Sequence, residues 1–306
     1  MDDQVRTTTA AGGTARRTGA QWAVVGVVVS LALGAAAYRL LRAGGLDETA
    51  ALFIGLPTVL AIALALTPKA KSATGMIMKG LTIALLLSGP LLGEGFVCIL
   101  MASPLFYAVG AAVGWAVDRD RRRRGGAPAR SLVIVPLLLM SMEGLSPALS
   151  FPAALTASAA KSVAAPPAAV EAQLAAAPRF ADRLPPFLRL GFPRPTGAEG
   201  AGLAVGDTRT VYFGRGATPK KVVFEVAERA PGYVRFRAAN DDTKIGTWLR
   251  WQDAEVRWAA RPDGGTDVEW TLHFSRRLSP GWYFGPLESF GAAAAAEYLI
   301  DSLATP

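Results

Sequence analysis

Between Gly95 and Val117 the chain runs for 23 residues without a charged side chain, and the next seven are Asp-Arg-Asp-Arg-Arg-Arg-Arg. About 20 apolar residues in a helix span the hydrocarbon core of a bilayer. A basic block directly after such a run marks a cytoplasmic membrane loop rather than a nucleic-acid contact. A chain with this feature is expected to fold with part of itself in lipid, and the rest of the sequence is read from there.

Three further runs have the same character, at 21–38, 49–66 and 74–92, and a fifth at 131–151 is interrupted by Pro136, Glu143 and Pro147. The spacing predicts an α-helical membrane bundle of four or five spans over 21–151, preceded by a disordered tail over 1–20. With four spans, Arg6, Arg16 and Arg17, then Lys69 and Lys71, then the arginines at 119 and 121–124 fall on one side, the cytoplasm. A cleavable signal peptide is the rival reading of 1–38, but its apolar run is longer than a signal core of about 7–15 residues.

Two residues in this half carry candidate chemistry. Glu94 stands between Gly93 and Gly95 where the third and fourth runs meet. It reads either as the tip of a tight turn at the outer headgroup level or as an intramembrane carboxylate that binds a cation or proton. Cys98 lies four residues on, on the same helical face. As the only cysteine it excludes an internal disulfide and a cysteine zinc site. Small residues in "GAAVGWA" favour close helix packing. Lys79 is expected to snorkel, and Glu143 to mark the point where the fifth segment leaves the hydrocarbon.

After residue 151 the composition changes. Residues 152–306 hold 18 Lys+Arg and 16 Asp+Glu, against 14 and 8 before, so the net charge of +8 divides as +2 and +6. The hydrophobic period becomes two. Strands are predicted at 153–166, 207–214, 220–229, 233–239, 244–251, 253–260 and 266–274, a helix at 167–185, a proline-broken segment after it, and an alanine-rich helix at 285–304. Ala-Pro-Gly at 230–232 and Arg261-Pro-Asp-Gly-Gly mark hairpins. Val222, Phe224 and Val226, Val234 and Phe236, Val256 and Trp258, and Val268 to Phe274 fall on one face, which makes an antiparallel sheet with one wet side and one apolar side. The last helix is the element long enough to cover the apolar side.

This order of elements, with "SVAAPPAAVEAQLAAAPRF" near its start and "RPDGGTDVEWTLHF…PGWYFGPL" near its end, resembles the helix-grip fold of the SRPBCC superfamily, which includes START lipid-transfer, polyketide cyclase-like and plant allergen proteins. The resemblance covers about 154–304. The chain as a whole resembles bacterial multi-pass membrane proteins with such a domain, which implies no defined activity. What the resemblance implies is an α+β domain over 152–306, a curved sheet gripping the last helix around an apolar tunnel. Its lining would come from Phe224, Phe236, Trp258, Trp270, Leu272, Phe274, Leu287, Phe290 and Tyr298, unless these residues simply fill a closed core.

The expected function is therefore a membrane-anchored module that binds an apolar ligand, lipid or isoprenoid-like, in transfer or sensing. The alternatives are a cyclase-, aromatase- or hydrolase-like enzyme, a structural protein with a filled core, and a transporter centred on Glu94. No acid–base pair falls on the apolar face, and the single histidine, His273, alternates onto the wet face near Asp267 and Glu269. No metal and no cofactor are expected, and no nucleic acid as partner. The expected location is the bacterial inner membrane, with the C-terminal domain outside if the fifth span is real.

Overall fold

A computed structural model describes residues 19–43, 54–92, 96–124, 143, 150–214 and 219–303. The chain divides into two compact units, Met1–Val133 and Ile134–Pro306.

The first unit contains helices α1 (Gly19–Ala43), α2 (Leu56–Leu66), α3 (Ala73–Leu92) and α4 (Phe96–Arg124). Pro57 opens α2, where its missing N–H costs nothing. Thr67 closes it, its hydroxyl donating to Leu64 O at 2.6 Å. The orphan carbonyls of Ala65 and Thr67 at this helix end accept from Lys79 Nζ at 3.3 and 2.9 Å and from Gln21 Nε2 at 3.4 and 2.8 Å. Lys79 thus satisfies a helix C-terminus, where a cation is favoured.

Gly110 and Gly114 bring α4 against α3. A Cβ at Gly114 would lie 2.5 Å from Thr74 Cα, and one at Gly110 would lie 3.2 Å from the Met78 side chain. One turn beyond Gly114, Asp118 caps α3, accepting from Ala73 N at 2.7 Å and from Thr74 N and Oγ1 at 3.0 and 2.7 Å.

Among the described residues, two helical segments are long and apolar enough to cross a membrane, Gly19–Ala37 and Val97–Arg123. The apolar parts of the others, Leu56–Leu66 and Ala73–Gly89, are shorter. Among the described residues these two stand where four spans are expected: at 1.5 Å per residue, α2 covers roughly 17 Å of a core about 30 Å thick, and the fifth expected span lies almost wholly outside the described residues. The tail over 1–18, Glu94, and the segment 131–149 apart from Glu143 lie outside the described residues.

The second unit is a seven-stranded antiparallel sheet in the order β1-β7-β6-β5-β4-β3-β2, with a long C-terminal helix packed on β1 and β7. The strands are β1 (Ala154–Val163), β2 (Pro195–Glu199), β3 (Thr208–Phe213), β4 (Lys220–Ala230), β5 (Tyr233–Asp241), β6 (Leu249–Ala260) and β7 (Thr266–Arg276). The helices are α5 (Pro167–Ala175), the single turn α6 (Ile245–Trp248) and α7 (Gly281–Leu303). A curled antiparallel sheet holding a C-terminal helix is the helix-grip arrangement.

Three boundaries differ from the sequence reading. The segment read as a strand over 244–251 is a helical turn followed by the start of β6, and β6 continues unbroken to Ala260. A register shift between Trp251 and Asp253 interrupts the alternation there, which divides one strand into two when it is read by period. Helix α5 stops at Ala175, well before 185, because Pro178 lies just beyond it. Strand β2 (Pro-Thr-Gly-Ala-Glu) has no apolar alternation to reveal it. It is an edge strand that begins with proline, where no ladder N–H is needed.

The core joins Val226, Val234, Val256, Val268 and Phe274 of the sheet to Ala292, Ala296 and Ile300 of α7. Alanines on the helix face allow it to lie close to the sheet, so the aromatic side chains of α7 point elsewhere.

Candidate functional site

A cavity of about 340 Å³ lies beneath the apolar face of the sheet. Phe224, Phe236, Ala254, Trp270 and Leu272 of β4 to β7 form one wall, and Arg209 and Val211 of β3 border it. Leu174 of α5 and the segment from Ala176 to Phe180 face them, and Leu299, Ser302 and Leu303 of α7 complete the enclosure. The volume is near the lower end of the roughly 300–1,000 Å³ typical of small-molecule pockets. The cavity exists because α7 leans on β1 and β7, while α5 ends early and the chain after it spans the gap toward β3.

Of the residues proposed as lining, Phe224, Phe236, Trp270 and Leu272 border this cavity. Trp258 and Phe274 are buried in the core outside the lining. Arg229 lies over the Trp258 ring, its Cζ 5.0 Å from the centroid, and Phe274 meets Trp251 at 6.0 Å. Tyr298 lies outside the lining, behind Phe180: its hydroxyl donates to Ala181 O at 2.7 Å and its ring stacks on Phe180 at 6.4 Å. Leu287 is half-buried, and Phe290 is 59% exposed beside Phe187. Cys98 is half-buried in α4 with no disulfide.

The charged members of the lining are both cations, Arg179 at the exposed rim and Arg209 inside. Arg209 is 6% exposed. Its Nη2 donates to Leu174 O and, at 2.8 Å, to Gly202 O, and its guanidinium carbon lies 4.7 Å from the Phe236 ring centroid. Its Nε has no partner, nor do the indole N–H of Trp270 and Oε1 of Gln173, two other lining residues. Burial brings the Arg209 pKa down to about 10, against the opposing pull of Asp207. Sequence reasoning missed Arg209, which reads as the wet-face residue of a short strand.

A second group was also missed. Asp253, Glu255 and His273 offer ligand atoms within 4.8 Å of one another on the opposite face of the sheet. His273 Nε2 lies 3.8 Å from Asp253 and 3.9 Å from Glu255, and its Nδ1 is 3.0 Å from Thr156 Oγ1. The carboxylates beside it are therefore cross-strand neighbours on β6, not Asp267 and Glu269 of its own strand. Arg257 already engages Glu255 at 3.0 Å, which makes this a surface charge cluster.

Glu143, expected to mark a membrane exit, pairs with Arg276 and accepts from Gly281 N at 2.5 Å, where α7 begins. Glu288, on the same helix, is 6% exposed, and burial pushes its carboxyl up to about 7.

No family model and no curated protein matches the chain. Solved structures do. A START superfamily protein from Mycobacterium smegmatis is 13% identical, over 49% of this chain and 94% of that one, with a TM-score of 0.36. Truncated norcoclaurine synthase from Thalictrum flavum is 12% identical, over 49% and 91%, with a TM-score of 0.34. A Nitrosospira multiformis protein is 14% identical, over 47% and 96%, with a TM-score of 0.30. These similarities carry no activity to this chain, and the description of its fold stands on its own sheet order and helix packing.

Proposed function

We propose that this chain is a membrane-tethered binding module whose C-terminal domain takes up an apolar small molecule, lipid or isoprenoid-like. The observation that carries the reading is the cavity of about 340 Å³, walled by Phe224, Phe236, Trp270 and Leu272. A protein whose aromatic residues only filled a core would close that space, because voids larger than a water molecule are few in well-packed domains.

Support for the tether comes from the two long apolar helices and from the arginines at 119 and 121–124 at the C-terminal end of the second. A bilayer anchor would keep a short path between the pocket and a ligand dissolved in lipid. On the same grounds we propose the bacterial inner membrane as the location and lipid transfer or sensing as the role. Binding is favoured over catalysis because the ionisable side chains Arg179 and Arg209 in the lining are poor proton acceptors at neutral pH.

The test is native mass spectrometry of the full chain released from detergent micelles, with extraction and identification of what stays bound. A small molecule of defined mass, displaced by added lipid, is the expected result. A bare protein mass that takes up no offered lipid would overturn the reading.

A further inference from the structure

The proposed pocket has an unbalanced charge. Arg209 is a buried cation bordering it, held by two backbone carbonyls and the face of Phe236. No carboxylate lies within ion-pair distance of Arg209 among the described residues. Asp207, which acts on it from farther off, turns its Oδ2 to the backbone N–H of Ala204 at 2.8 Å. The lining contains no acidic residue, and its second charge is the cation Arg179. A guanidinium taken out of water is costly unless an anion compensates it. Arginine's planar fork of donors suits a carboxylate, which it can meet with two parallel hydrogen bonds. The buried polar atoms left without a partner on the lining residues are two donors, Arg209 Nε and Trp270 Nε1, and one acceptor, Gln173 Oε1.

We infer that the ligand is a single-chain amphiphile with a carboxylate head, the head meeting Arg209 and the chain lying along Phe224, Phe236, Trp270 and Leu272. This inference rests on the pocket reading above and adds the head-group chemistry. The small volume suits one chain rather than two. The contact with Leu174 O ties β3 to the end of α5 and the contact with Gly202 O ties it to the loop before β3, so the side chain is held in place before any ligand arrives.

The experiment compares dodecanoic acid with its methyl ester on the full chain in detergent, titrated and read by native mass spectrometry. The two probes share a chain and differ at the head. The unchanged protein should bind the acid about tenfold to a hundredfold more tightly than the ester, the value of charge-assisted hydrogen bonds in a dry site. Arg209→Met should abolish the preference, bringing acid and ester to equal binding, and Arg209→Lys should retain part of it. Equal binding of acid and ester by the unchanged protein overturns the inference and leaves the pocket standing. Binding of neither probe overturns both. The comparison on the unchanged protein decides the matter even if Arg209→Met fails to fold.

Discussion

Glu143 and Arg276 form a pair that closes the start of the last helix. The carboxylate bridges the Arg276 guanidinium and the backbone N–H of Gly281, and both side chains are only 10% exposed. Arg276 also donates to the carbonyls of Phe151, Pro152 and Leu278 at 2.9, 3.0 and 3.0 Å. One arginine thus ties the segment before β1 to the junction between β7 and α7. Glu143→Ala should cost roughly 2–4 kcal/mol, since it leaves a buried cation without its anion and a helix N-terminus without its cap. The carbonyl contacts hold the loss toward the lower end. Thermal unfolding of the full chain in detergent measures it, and a loss under about 0.5 kcal/mol, the range of ordinary surface substitutions, would contradict the role given to this pair.

Glu288 makes stability depend on pH. Burial raises its folded pKa from 4.5 to about 7, against the smaller opposing pulls of the Leu278 backbone and Arg276. The folded chain therefore holds the proton more tightly than the unfolded chain. Stability from this group is undiminished below about 4.5, falls as pH rises toward about 7, and stays at the lower level above it. Glu288→Gln should flatten this slope and stabilise the protein at pH 8 by about 3 kcal/mol. Unfolding midpoints between pH 4.5 and 8 for both proteins check it. An unchanged slope in the variant would assign the dependence to other groups.

Helices α3 and α4 meet through Gly114, where an added Cβ would lie 2.5 Å from Thr74 Cα. Gly114→Leu should force them apart at a cost of about 1–3 kcal/mol. Gly26, with nothing within 4 Å of an added Cβ, should accept leucine with little change. Melting of the two variants in the same detergent gives the comparison, and equal behaviour would refute the close approach.

Ala254 lies in the cavity wall with Phe236 and Leu272. Ala254→Leu should fill part of the space and weaken uptake of a bound chain about tenfold or more, because small volume changes in apolar pockets are felt at that scale. Phe290→Ala, which removes an exposed ring outside the lining, should leave uptake unchanged. Titration with dodecanoic acid separates them, and equal affinities would move the binding site elsewhere.

The sequence by itself determined the division into an apolar helical half and a period-two half, and most strands of the sheet, because side-chain periodicity is a local signal. Val222, Val226, Val234, Val256 and Val268 are buried on the side that alternation assigns them. It also pointed to Phe224, Phe236, Trp270 and Leu272, inward residues of the strands that border the cavity. It could not separate these from Trp258 and Phe274, which alternate identically but lie where α7 and its neighbours leave no space. Strand β2 escaped it for lack of a periodic signal, whereas the early end of α5 is marked in the sequence by Pro178.

Only the tertiary structure decided the partners. Glu143 and Arg276 are 133 residues apart in the chain, and Arg209 reaches Leu174 across 35. No local pattern encodes such contacts. Charged residues read as solvated faces or membrane exits when the chain is scanned in order. They become a helix cap and a buried pocket cation when packing removes their water, since a charge taken from solvent must find partners in whatever the fold brings beside it.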